Sequence, residues 1–215
     1  MTPFFIELVT RTDEARREFE TNSKVLEIVA NGLSVERYRA LLLELYHIVW
    51  HFNPICAAAT SRIPDTHKSI RYFLYKHMEE EAGHEEWVLN DLLAMGVDRQ
   101  FALTAAPTLR LLGLTGYNYW MADRRHPCAV LGMVYALEVI ASVYGGPITS
   151  AIKESLLLES DRGISFISSH ATLDAEHMAD LRVVMNQIHD NEAKDAIVEA
   201  TAFNFYQFTR ILEAI

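Results

Sequence analysis

Between Ala129 and Tyr144, sixteen consecutive residues carry a single charge, Glu138. A helix that is apolar all round has no face to give to water, so the remainder of the chain must surround it. An ionised carboxylate inside such a helix costs several kcal/mol unless a proton, a cation or a metal ion meets it. The sequence therefore has to supply, from other helices, whatever Glu138 faces.

The chain can build that surround from helices. Gly 9 and Pro 6 among 215 residues fall well below the average of about one residue in eight, and 50% of the chain is hydrophobic, so turns are few and helices long. No run alternates apolar and polar residues with the period of two that a half-buried strand needs. The length suits one domain over residues 1–215, all-α, with no linker or repeat. Lys+Arg 19 against Asp+Glu 29 gives a net charge of -10, which disfavours nucleic acid and anionic membranes as partners. The first twenty residues hold Glu7, Arg11, Asp13, Glu14, Arg16 and Arg17 and no apolar leader, so a cytoplasmic location is expected. There Cys56 and Cys128 are read as reduced core residues.

Punctuation every 25 to 35 residues predicts the helices. The first runs from Thr12 to Asn31 and stops at Gly32. Ser34 caps the second, which reaches Arg62 with a kink at Pro54. A third spans Asp65 to Gly96, and 98–108 is a connector. A fourth covers Leu109–Arg124. The apolar fifth opens on Pro127 and is broken or bent by Gly145-Gly146-Pro147 before going on to Leu158. The sixth spans Gly163–His189, and Asn191 caps the last.

Two of these helices carry the partners that Glu138 lacks. The third holds Glu81-x-x-His84 on one expected face, and the sixth holds His170, Asp174 and His177 within roughly 60° of one another at 3.6 residues per turn. Two carboxylate-x-x-histidine pairs on different helices, completed by carboxylates from others, are how helical bundles hold two iron or manganese ions. Carboxylate and imidazole are donor types that suit those ions.

This order of residues resembles the haem-oxygenase-like di-iron oxidases, non-haem enzymes on a seven-helix fold, over Ser34 to His189. The resemblance implies six ligands, Glu81, His84, Glu138, His170, Asp174 and His177. In it Glu138 bridges, Glu81, His84 and His170 serve one iron, and Asp174 and His177 serve the other. It further implies two Fe2+ ions that react with O2, with Mn as the alternative metal. The activity implied is oxidation of a small amino-acid- or carboxylic-acid-type substrate in a biosynthetic pathway, by N-oxygenation, oxidative decarboxylation or C–C cleavage. A role in which the enzyme consumes its own tyrosine fits poorly, since no Tyr precedes Tyr38.

Other residues invite a role. His47 and His51, one turn apart on the second helix, are candidate substrate contacts because the resemblance places that helix against the site. Tyr135, three residues before Glu138, is another. His77 lies one turn before Glu81 and reads as a surface residue or a substitute ligand. Arg124-Arg125 suits a substrate carboxylate or a helix end. The aromatic stretch Phe203–Phe208 packs the end of the domain or contacts a second copy in a homodimer. Two competing readings are a thiaminase-II-like enzyme using Cys128 as nucleophile and a non-catalytic metal-binding helical protein.

Overall fold

The computed structural model describes the backbone of residues 2–215, and the side chains of these except for residues 172–176. It is all-α, with no strand among the described residues. Among the described residues there are seven long helical stretches and one short connector helix, and local chemistry divides several of the seven. The first is three short helices, α1 (Phe4–Arg11), α2 (Asp13–Thr21) and α3 (Ser23–Asn31), where a single helix from Thr12 was predicted. The division has a capping cause. The Asn22 side chain accepts from the Lys24 and Val25 amides and so starts α3 afresh, with Asn22 itself extended at φ -61, ψ 130.

α4 (Val35–Thr60) is one helix that contains Pro54, the position of the expected kink. Pro54 is exposed, so the carbonyl left without its amide partner lies on the water side. The predicted third helix is two, α5 (Lys68–Glu80) and α6 (His84–Ala94), after a 3-10 turn at Asp65–His67. Gly83 adopts φ 92, a left-handed conformation that only glycine takes freely, and this ends α5. The expected connector contains the short α7 (Arg99–Thr104), and α8 (Leu109–Arg124) follows as predicted.

The apolar run starts with a 3-10 turn at Pro127–Ala129 and becomes α9 (Val130–Val139). No break occurs at Gly145-Gly146-Pro147; a π turn, Ile140–Tyr144, passes directly into α10 (Gly145–Ser155). The stretch Pro127–Leu156 is long and apolar enough to cross a membrane by length and composition, and 72% of its most apolar window is buried inside the fold. α11 (Ser165–Met185) and α12 (Asn191–Glu213) complete the chain.

α9 lies in the middle, as its composition requires. It packs most closely on α12, where a Cβ on Gly132 would stand 2.4 Å from the Ile197 carbonyl oxygen, a spacing only glycine permits. α8 and α12 are also joined by a buried amide pair, Asn118 and Asn204, whose side chains exchange hydrogen bonds of 2.8 and 3.0 Å. The second amide hydrogens go to the Leu114 and Ala200 carbonyls. The entry of α11 is fixed from α6. Asp91, 1% exposed, accepts from Ser165 N, Ser165 Oγ and Phe166 N at 2.8–2.9 Å, which satisfies amides at the positive end of the helix. The Tyr38 hydroxyl donates to the Gly163 carbonyl just before it. These bonds set the register of α11 against α5 and α9.

Candidate metal centre

Side chains from α5, α6, α9 and α11 converge in two overlapping groups. His77, Glu81, Glu138 and His177 form one, and Glu81, His84 and His170 form the other; within each, one candidate donor atom per residue lies within 4.8 Å of the rest. Five of the six residues implied as ligands are therefore in one place. The sixth, Asp174, lies outside the described side chains.

Glu81 and His84 arrive there from two helices rather than one. They do not share one helix face: Glu81 closes α5 and His84 opens α6, with the Gly83 break between them. The break turns the His84 ring back, and its Nδ1 lies 2.8 Å from Glu81 Oε2. Glu81 is also the carboxylate common to both groups. Glu138, the expected bridge, belongs among the described residues only to the group with His77 and His177. The reason is position: Glu81 stands at the end of a helix between the two histidine sets, whereas Glu138 projects from α9 on one side.

The His77 side chain is 1% exposed, so the surface reading fails. It continues the inward stripe Ile70, Leu74, His77 of α5, stacks on Phe73 with rings 5.3 Å apart at 15°, and meets the His177 ring edge-on at 4.9 Å. Among the described residues, neither of its ring nitrogens has a hydrogen-bond partner, and Glu138 Oε2 has none either. His77 Nε2 stands 3.5 Å from Glu138 Oε1. Buried polar atoms are almost always paired, and the gap between these donors is the size a shared ion fills.

The electrostatics agree with a cation site. Burial lowers the pKa of His77 more than the nearby carboxylates raise it, which leaves the ring neutral, the form that ligates. The hydrogen bond to Glu138 raises His177 to about 9, so in the metal-free protein this ring carries the positive charge that the carboxylates require. Burial alone would raise Glu81, yet the imidazoles of His170 and His84 outweigh it and hold this carboxyl far below the usual range. His170 donates from Nδ1 to the Phe166 carbonyl at 2.9 Å, which fixes its tautomer and turns Nε2 towards Glu81, 3.7 Å away. A ligating histidine is held in this way, with the far nitrogen on a backbone carbonyl.

A cavity of about 140 Å³ opens beside these groups. Leu41, Leu45, Ile48, Phe52, Ile148 and Phe208 line it, and its charged or titratable lining is Glu81, Glu138 and His170. None of the expected substrate contacts faces it. His47 turns to the Ala105 carbonyl, His51 to the Tyr119 hydroxyl, and Tyr135 packs edge-on against Phe5. α4 directs Leu41, Leu45, Ile48 and Phe52 inward, and His47 and His51 fall on its other side. Arg124 pairs with Asp123, and Arg125 lies over the Trp120 ring. Phe203 stacks on Tyr117, while Phe205 and Phe208 are buried within the chain. Cys128 does not line the cavity, and burial pushes its thiol up to about 12, which removes the thiolate that a nucleophile needs.

Residues 39–207 match the profile of a family described as an iron-containing redox enzyme. No curated protein matches the chain. Among solved structures, it is similar to a domain of unknown function with a haem-oxygenase-like fold from Shewanella denitrificans, at 25% identity and a TM-score of 0.81, covering 97% of this chain and 88% of that one. A TenA homologue from Pseudomonas syringae superposes with a TM-score of 0.80 at 15% identity, covering 99% and 93%. A haem oxygenase from Leptospira interrogans gives 0.78 at 15% identity over 100% of both chains. The fold is haem-oxygenase-like.

Proposed function

We propose that this chain, which belongs to the family of iron-containing redox enzymes, is a non-haem di-iron oxidase that uses O2 to oxidise a small carboxylic acid with an apolar body. The observation that carries this reading is the set of unpartnered donors, His77 Nδ1 and Nε2 and Glu138 Oε2, beside an apolar cavity. Glu81, His84 and His170 would hold one ion and His77, Glu81, Glu138 and His177 the other, with Asp174 the remaining candidate ligand. Two ferrous ions so held supply electrons and open coordination positions for dioxygen.

The chain's own groups prepare the site for that chemistry. Glu81 places its two oxygens between the histidine sets, and the Phe166 carbonyl keeps His170 Nε2 aimed at them. The proton shared by His177 Nδ1 and Glu138 Oε1 has to leave when an ion arrives, so loading releases it to solvent. Leu41, Ile48, Phe52 and Phe208 exclude water and hold the substrate's apolar body. In size the cavity compares with an engineered apolar cavity of about 150 Å³ that admits benzene. No Lys or Arg lines it, so a carboxylate head group has only the metal end to bind, and the apolar lining favours a substrate whose remaining body carries no charge.

The test is anaerobic loading with Fe2+, followed by metal analysis and measurement of O2 uptake. About two iron ions per chain are expected, with uptake stimulated by medium-chain carboxylic acids and not by polar amino acids. Glu81→Ala should lose both ions. Iron retained in full by Glu81→Ala would overturn the ligand set, and iron bound without substrate-dependent O2 uptake would leave a metal-binding protein that is not an oxidase.

A further inference from the structure

At the other end of α5 from Glu81, about 20 Å away at 1.5 Å per residue, His67, His126 and Cys128 bring one candidate donor atom each within 4.8 Å of one another. Asp190 lies outside that set but beside its two histidines: its Oδ2 lies 3.4 Å from His126 Nε2 and 3.7 Å from His67 Nε2. We propose that these four side chains form a second, structural metal site that takes one Zn2+ ion.

The donor set and the spacing both support this. Zinc binds thiolate, imidazole and carboxylate at about 2.0–2.3 Å, and the edges of such a tetrahedron measure roughly 3.3–3.8 Å. The two measured Asp190–histidine separations fall in that range. In the bare protein His126 pairs with the Asp190 carboxylate, which also accepts from Glu192 N and Ala193 N, and an ion replaces the His126–Asp190 contact by coordinating both side chains. As the ion binds it displaces the Cys128 thiol proton to solvent, so one thiolate and one carboxylate balance the dication, and two neutral imidazoles fill the shell. With Asp190 drawn in as the fourth ligand, protein fills all four positions, which marks a structural site.

The four residues come from three joints of the bundle. His67 ends the turn between α4 and α5, His126 and Cys128 flank Pro127 between α8 and α9, and Asp190 caps α12. An ion there ties these joints together at the end away from the cavity. Cys128 is fully buried, whereas Asp190 is partly exposed and gives the ion its way in. Coordination by His126 Nε2 moves that ring's proton to Nδ1, and the long 3.3 Å contact from the Cys128 amide to Nδ1 opens.

The test loads the full-length protein with Co2+ and follows thiolate-to-cobalt charge-transfer absorption, a signal the carboxylate and histidine centre cannot give. The band should saturate at one ion per chain and disappear on adding Zn2+. Cys128→Ser should abolish it and Cys56→Ser should keep it. Asp190→Asn, which retains an oxygen to cap α12, should weaken Co2+ binding roughly tenfold or more with native circular dichroism. Absence of the band from the natively folded protein, its survival in Cys128→Ser, or its loss in Cys56→Ser alone would overturn the proposal.

Discussion

Two buried polar clusters, both packed against the central part of the bundle, differ in how they are finished. Between α8 and α12, every amide hydrogen of Asn118 and Asn204 reaches an acceptor, and each side-chain oxygen receives the other's amide. Between α5, α9 and α11, His77 and Glu138 are buried as deeply and leave three polar atoms unpaired. A closed network stabilises and specifies a packing; an open one is costly in the bare protein unless a ligand completes it. The contrast separates what holds this fold together from what the fold is arranged to hold.

Breaking the closed pair should have the largest effect. Asn118→Ala leaves both ends of the Asn204 amide short of a partner and should cost about 2–3 kcal/mol, a fall of roughly 4–12 °C in thermal midpoint for a chain of this size. Replacing both asparagines with leucine should cost less than this single change, because no polar group is then stranded. A single-variant loss below about 1 kcal/mol would show that the pair is not closed in solution.

The closed pair and the open site also differ in how far the sequence shows them. Glu138 is legible because it is the only charge in a long apolar run. Five of the six implied ligands converge, yet the path of Glu81 and His84 is hidden: the spacing of three suggests one helix, and only Ala82-Gly83 between them hints at the break. His77 was open to a better reading, since Ile70, Leu74 and His77 repeat at four and three residues and mark the inward stripe of α5. A histidine among acids reads instead as surface. Asn118–Asn204, Asp91 on the start of α11, and the joint cluster at His67, His126, Cys128 and Asp190 leave no local pattern. Their partners lie 60 to 120 residues away or on separate turns, so packing alone brings them together. The seven helical stretches follow from composition and periodicity; the breaks at Asn22 and Gly83 depend on capping and backbone chemistry that periodicity does not register.

Titration sharpens the comparison next, because only the open site carries a proton that folding binds. In the metal-free protein His177 is raised to about 9 by Glu138, against an ordinary value near 6.5. A folded-state value above the unfolded one means that the stabilisation is complete below about pH 6.5 and is lost as pH rises through about 9. Metal-free protein should therefore lose on the order of 2 kcal/mol between pH 7 and 9, read from denaturant midpoints, and His177→Gln should flatten that slope. The deficit of Asn118→Ala should stay constant over the same range, since neither asparagine titrates. Iron affinity should run the other way and rise with pH, because the ion replaces the proton.

The smallest effect on stability belongs to the side chain with the most to say about the site. His77→Leu removes no hydrogen bond, keeps an apolar group against Phe73 and Phe52, and relieves two unpaired buried nitrogens. The metal-free variant should lie within about 1 kcal/mol of the parent, against the larger loss for Asn118→Ala at the same degree of burial. Loaded with Fe2+, it should retain roughly one ion where the parent retains two, because the group with Glu81, His84 and His170 is left whole. A His77→Leu protein as unstable as Asn118→Ala and with its iron undiminished would place His77 in the closed class, a core residue whose ring is held by packing alone, and the donor set facing Glu138 would then be His177 and Glu81.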